Sequence, residues 1–111
     1  MNHLLYIIIF LIMGCAAHSQ YDTVIINTPT TQCGMCHWNI IDALEKVDGV
    51  KKVKINDDNQ SVAITYLDNK ITLNELEVAI SKAGYQANDM PAELEAYEKL
   101  SLCCRLPNDR K

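Results

Sequence analysis

Two cysteines three residues apart, Cys33-Gly34-Met35-Cys36, are the residues of this chain best suited to chemistry. They stand where a polar loop, Thr28-Pro29-Thr30-Thr31-Gln32, gives way to apolar residues at helical spacing. Cys36, Ile40, Leu44 and Val47 form that stripe, with Ile41 beside them. A helix beginning there sets both sulfurs beside free backbone N–H groups and the positive end of the helix dipole. That setting favours thiolate, the form that ligates metals and acts as a nucleophile. Thiolates select soft ions such as Cu(I) and Zn(II) over Mg(II) or Ca(II). Two sulfurs suffice for Cu(I) or Hg(II) in near-linear coordination, whereas Zn(II) needs two more ligands to complete a tetrahedron. An ion held this way stays open to a third thiol and can pass between proteins by ligand exchange. A structural disulfide or an idle pair is the alternative reading of the same two residues.

Other chemistry competes for these sulfurs. Cys33, Cys36 and His37 spell Cys-x-x-Cys-His, the haem attachment pattern of a small c-type cytochrome, with Met90 downstream as a distal axial ligand. Such a protein is nearly all helical, while residues 50–66 read as a β-hairpin. Cys-Gly-x-Cys also suits a thiol-disulfide oxidoreductase, but that fold needs a longer chain and a cis-proline facing the pair. Pro29, Pro91 and Pro107 are poorly placed for that role. Around the pair, His37 is expected to point around the helix into solvent rather than to ligate. Trp38 is expected to pack or line the rim, and Met35 to pack rather than to lie near the metal. Cys103-Cys104, near the C-terminus, are the candidate auxiliaries. Folded back, they would add one or two thiolates at Cys33 and Cys36, raising the coordination number and slowing release. A disulfide to the first pair or a vicinal redox clasp would use the same atoms.

The elements that must position these residues are legible in the patterning. Residues 23–27 are β-branched and read as a strand. The helix from Cys33 to Val47 ends at Asp48-Gly49, where glycine suits the left-handed position. Residues 50–55 and 61–66 alternate as a hairpin across the turn Asn56-Asp57-Asp58-Asn59. Thr72-Leu73-Asn74-Glu75 is a capping box that opens a second helix. Its predicted buried stripe is Leu73, Leu76, Ile80 and Ala83, and Gly84 ends it. Tyr85-Gln86-Ala87 completes the order β-α-β-β-α-β over residues 23–87, an α+β sandwich. It predicts two helices on one face of a four-stranded antiparallel sheet. A short helix from Pro91 through Leu100 is expected in the tail, either covering the sheet or as a frayed appendage. About 65 residues bury a marginal core and leave no room for a deep substrate pocket.

Taken together, residues 24–87 resemble a heavy-metal-associated domain, the module of copper chaperones, of copper-transporting ATPases and of the periplasmic mercury-binding protein. The matching residues are Cys33-x-x-Cys36, Ile40, Leu44, Val47-Asp48-Gly49-Val50, Val53, Val62, Leu76, Ile80 and Lys82-Ala83-Gly84-Tyr85. The resemblance implies a ferredoxin-like fold over residues 22–88, with residues 89–111 as a separate tail. It also implies Cys33 and Cys36 as the metal ligands and Tyr85 in a loop beside the metal, shielding it. A metal-transporting ATPase or another metal-trafficking protein is the implied partner. The chain departs from the family at Thr31, where a methionine commonly packs under the metal loop. It departs again at Gln32, where a zinc-exporter type of site has aspartate.

Charge and composition narrow the classes further. Fourteen acidic residues against ten basic ones give a net charge of −4 over 111 residues. This excludes the basic face that nucleic acid requires. Aromatic residues make up 6%, too few for a platform that stacks bases or sugars. The expectation is a metal-binding module and not an enzyme. Residues 1–19 read as a signal segment. Leu4 to Met13 is a charge-free apolar run, too short to span a bilayer, which takes about 20 residues. Ile12-Met13-Gly14-Cys15 resembles a lipobox, which would make Cys15 the lipid-bearing first residue of a membrane-anchored protein. Ala17-His18-Ser19 before Gln20 is an alternative cleavage site that would give a soluble periplasmic form. Either route exports the protein to a compartment where disulfides can form.

Overall fold

The computed structural model describes His3 and residues 20–110. Both processing sites, at Cys15 and after Ser19, lie outside the described residues. Strand β1 (Tyr21–Asn27), helix α1 (Gly34–Glu45), strands β2 (Val50–Asn56) and β3 (Ser61–Leu67), and helix α2 (Leu73–Lys82) follow in order. A short helix α3 (Leu94–Glu98) and two 3-10 turns, Leu102–Cys104 and Pro107–Asp109, form the tail. No helix among the described residues is long and apolar enough to cross a membrane.

The sheet is antiparallel in the order β1-β3-β2. Its register sets Ile26 opposite Val62, Val24 opposite Ile64, and Val53 opposite Ile64 from the other side. Strand alternation sends Ile26, Val62, Ile64 and Tyr66 to one face and leaves Ile25 on the other, 66% exposed. The inward residues meet Ile40 and Leu44 of α1 and Leu76 and Ile80 of α2 in one core. Both helices therefore cover the same face of the sheet. Thr72 caps α2, its hydroxyl accepting from the Glu75 N–H at 3.3 Å, as the capping box predicts.

The expected fourth strand does not form, and the described residues hold a three-stranded sheet. Tyr85-Gln86-Ala87 leads past the end of β1, but the pairing reduces to one backbone bond, from Asn88 N–H to the Asn27 carbonyl at 2.8 Å. The Asn27 N–H goes instead to the Asn88 side chain at 2.9 Å. Asn88 itself sits at φ +50, a left-handed conformation that asparagine tolerates. The Gln86 N–H donates to the Thr30 hydroxyl rather than to a neighbouring strand. A side-chain acceptor and a turn thus take the place of a ladder.

Two further expectations are corrected. Leu73 is 40% exposed, because the buried stripe of α2 begins one turn later at Leu76. The tail helix starts at Leu94 rather than Pro91 and covers the helix layer, not the sheet. Leu100 enters the core. The Ser81 hydroxyl donates to the Pro91 carbonyl at 2.8 Å, and Glu93 N–H donates to the Ser81 carbonyl at 3.0 Å. Gly84, at φ +101, is the contact point. A Cβ there would stand 3.1 Å from the Ala96 carbonyl and from the Leu100 methyls.

Candidate metal centre

Cys33 is the N-cap of α1, with extended backbone angles, and Cys36 lies in the first turn. Their sulfurs are 3.6 Å apart. That is far beyond the roughly 2.05 Å of a disulfide, and all four described cysteines are free. The Gln32 N–H donates to Cys36 Sγ at 3.5 Å, and the Cys36 N–H to the Cys33 carbonyl at 3.0 Å. The first turn of α1 contains no acidic residue, so its dipole is uncompensated at the sulfurs.

The loop that delivers Cys33 is held by hydrogen bonds. Thr31 is buried and its hydroxyl donates to the Thr28 carbonyl at 3.0 Å. The Gln60 side-chain amide donates to the Thr31 carbonyl at 2.8 Å, and Thr28 N–H to the Gln60 carbonyl at 2.8 Å. This polar clamp spans the loop and the β2–β3 turn, and it was not legible in the sequence.

The tail brings its cysteines to the same place. Cys33 Sγ lies 3.3 Å from Cys103 Sγ and 3.7 Å from Cys104 Sγ, and the latter two are 4.0 Å apart. These three sulfurs all lie within 4.8 Å of one another. Cys104 is buried and Cys103 exposed. The tail is pinned in this position. The Arg105 guanidinium donates to the Leu100 carbonyl at 3.1 Å and also to the Glu98 carbonyl. Arg110 donates to the Cys103 carbonyl at 3.2 Å, and the Tyr97 hydroxyl bonds Asp109 at 2.5 Å.

Hydrogen bonding within the cluster polarises its acidity. The Cys103 thiol beside it, followed by the Cys36 backbone N–H, lowers Cys33 from its ordinary 9.0 to about 6; partial burial opposes them. Cys103 is raised, because its proton is shared with Cys33. Burial, then contact with Cys36, pushes the Cys104 thiol up. Cys33 is therefore the favoured thiolate; the Cys104 thiol can donate to it, and while Cys33 is protonated its contact with Cys103 runs from Cys33 Sγ to Cys103 Sγ.

Tyr85 is fully buried on the inner side of the sulfurs. Burial pushes its phenol far up, and neighbouring Cys104 and Cys36 add to the shift. Its oxygen accepts from the Asn39 side-chain amide at 2.9 Å. Asn39 was missed by sequence reasoning; its one available signal was a position three residues after Cys36 on the same helix face. His37 is partly buried rather than turned out into solvent, a correction to the expectation: its Nε2 is 2.7 Å from Asp57 Oδ1, and it lines the groove beside Cys33 without joining the close sulfur set. Trp38 is 72% exposed, on the rim. Met35 is 50% exposed, so the expectation that it packs is corrected; it lines a surface groove with Asn39, Lys99 and Leu100. The β2–β3 hairpin occupies the region that a small c-type cytochrome would make helical, and Met90 forms a bridge with Ala87.

Residues 25–86 match the family model of the heavy-metal-associated domain. The tail cysteines lie beyond the matched residues. Over 77 residues the chain is 32% identical to a "Mercuric transport protein periplasmic component" of Shewanella putrefaciens, covering 69% of this chain and 85% of that protein. Over 61 residues it is 33% identical to a "Copper chaperone CopZ" of Staphylococcus aureus, covering 55% of this chain and 90% of the chaperone. Among solved structures, oxidised MerP from Ralstonia metallidurans CH34 matches with a TM-score of 0.59 and 29% identity, covering 62% of this chain and 96% of MerP.

Proposed function

The chain belongs to the heavy-metal-associated domain family, and from that premise we propose that it is an exported protein that carries a soft metal ion between Cys33 and Cys36. The observation that carries this reading is the pair of free sulfurs 3.6 Å apart at the mouth of α1. Cu(I) is the first choice of ion, Hg(II) the second and Zn(II) the third. A copper chaperone and a mercuric transport protein among the relatives support the soft-ion class. The protein works by ligand exchange and is not an enzyme. Its partner is a thiol-bearing metal-trafficking protein, of which a metal-transporting ATPase is one kind. Asp57 and Asp58, in the groove beside Cys33, give the approach a negative rim suited to a basic partner surface. Tyr85 shields the seat from the interior side. The signal segment directs the chain to the periplasm, and lipidation at Cys15 would anchor it to the membrane.

Native mass spectrometry tests this on protein taken from an export-competent bacterium grown with copper. The expected species carries one copper ion and begins at a lipid-bearing Cys15 or at Gln20. Copper is lost from the Cys33→Ser, Cys36→Ser double variant. A haem adduct, or copper retained by the double variant, would contradict the reading.

A further inference from the structure

The geometry points to a metal seat closed by the tail: Cys103 and Cys104 supply a third and a fourth thiolate to the ion held at Cys33 and Cys36. Cys103 is then the arm that an incoming thiol displaces. The inference rests on the proposed soft-ion function and extends it from binding to retention.

The sulfur spacing carries the argument. With metal–sulfur bonds of about 2.3 Å, a linear two-sulfur site holds its sulfurs about 4.6 Å apart, a trigonal site about 4.0 Å, and a tetrahedral site about 3.8 Å. Four of the six sulfur pairs are spaced 3.3, 3.6, 3.7 and 4.0 Å, and the sulfurs that all lie within 4.8 Å of one another are those of Cys33, Cys103 and Cys104, with Cys36 joined to the set through Cys33. These four lie at or below the trigonal and tetrahedral edges and well short of the linear one, and the compact set of Cys33, Cys103 and Cys104 matches a trigonal seat. Cys33 is the hub, within 3.7 Å of the other three sulfurs. The tail reaches this place by construction. Leu100 is buried in the core against the bare face of Gly84, and the Arg105 and Arg110 guanidinium groups fix the backbone around Cys103.

Burial divides the four ligands into two roles. Cys36 and Cys104, at 0% and 1% exposure, form the floor. Cys33 is half-buried, and Cys103 is open to solvent. An incoming thiol meets Cys103 first. The new metal–sulfur bond forms as the Cys103–metal bond breaks, and the proton released by the incoming thiol passes to Cys103. The tail thus occupies the positions a partner would otherwise enter, and it holds the ion until a competing dithiol supplies both replacements. A tethered ligand of this kind acts at high effective concentration, so loss of both tail thiols should weaken retention on the order of a hundredfold.

The test loads the full chain with Cu(I), counts sulfur neighbours by X-ray absorption, and times transfer to a small dithiol chelator. The wild type is expected to have three or four sulfur neighbours. Cys103→Ser, an exposed change that leaves the core intact, is expected to have one fewer and to transfer faster. Cys103→Ser with Cys104→Ser is expected to have two and to transfer fastest. Two sulfurs in the wild type, with the tail variants transferring at wild-type rate, would overturn the tail seat and leave the Cys33–Cys36 function standing. A third sulfur that survives loss of both tail cysteines would also overturn it. If Cys33→Ser with Cys36→Ser binds copper as the wild type does, the underlying function fails instead.

Discussion

Cys33 should alkylate with a pH profile that no ordinary cysteine follows. Its thiol is lowered from 9.0 to about 6, with the Cys103 thiol as the largest cause. At pH 7 a thiol with that pKa is about nine-tenths thiolate, against about one-hundredth for an unperturbed one. That is a gain of nearly a hundredfold in reactive form. A more stable thiolate is a weaker nucleophile, however. With a Brønsted slope of about 0.4–0.5, three pKa units cost about 20-fold in intrinsic rate. The two effects leave Cys33 about fivefold faster than an ordinary exposed thiol at pH 7 and about tenfold slower at pH 9. The curves therefore cross, and Cys33 reaches its plateau while the ordinary thiol is still rising. The assay is a pulse of iodoacetamide on the reduced, metal-free protein between pH 5 and 9, with each cysteine read by fragmentation mass spectrometry. Cys103→Ala removes the leading cause and should move the Cys33 midpoint upward toward 9.0. A Cys33 profile that rises in parallel with an ordinary thiol, or one that ignores Cys103→Ala, would refute the hydrogen-bonded cluster.

Gly84→Ala places a side chain at φ +101 and 3.1 Å from the Ala96 carbonyl. It should cost about 1–2 kcal/mol of left-handed strain in urea unfolding and expose Cys104 to alkylation as the tail lifts. Gly34→Ala meets nothing within 4 Å and serves as the control that leaves both readings unchanged. Tyr85→Phe removes the acceptor for the Asn39 amide and should lower stability by about 1 kcal/mol, read from the urea midpoint. An unchanged midpoint would mean that the hydroxyl is not tying α1 to the sulfur floor.

The legible parts of the structure are the local ones. Cys33 and Cys36 could be placed at a helix mouth because a loop composition and a helical period meet there within a few residues. Strand β1 followed from its β-branched residues, β2 and β3 from alternation, and helix α2 from the Thr72 cap, again signals of short range. What escaped depends on distant partners. The fourth strand was lost to Asn88, whose side chain takes the N–H of a residue 61 positions away. The polar clamp joins Thr28 and Thr31 to Gln60 across the β2–β3 turn. The tail cysteines were read as candidates from their adjacency alone. That they reach Cys33 depends on the bare face of Gly84, on Leu100 and on two arginines, none of which declares its partner in the sequence. Met35 was expected to pack, but its place on α1 faces a surface groove.

The claim beneath all of this is that Cys33 and Cys36 together hold a soft ion. A competition titration against a cuprous chelator, on the folded and fully reduced chain, measures it directly. The account predicts that the wild type takes copper from the chelator and that the Cys33→Ser, Cys36→Ser variant, still folded, does not. Equal retention by the two proteins would contradict it.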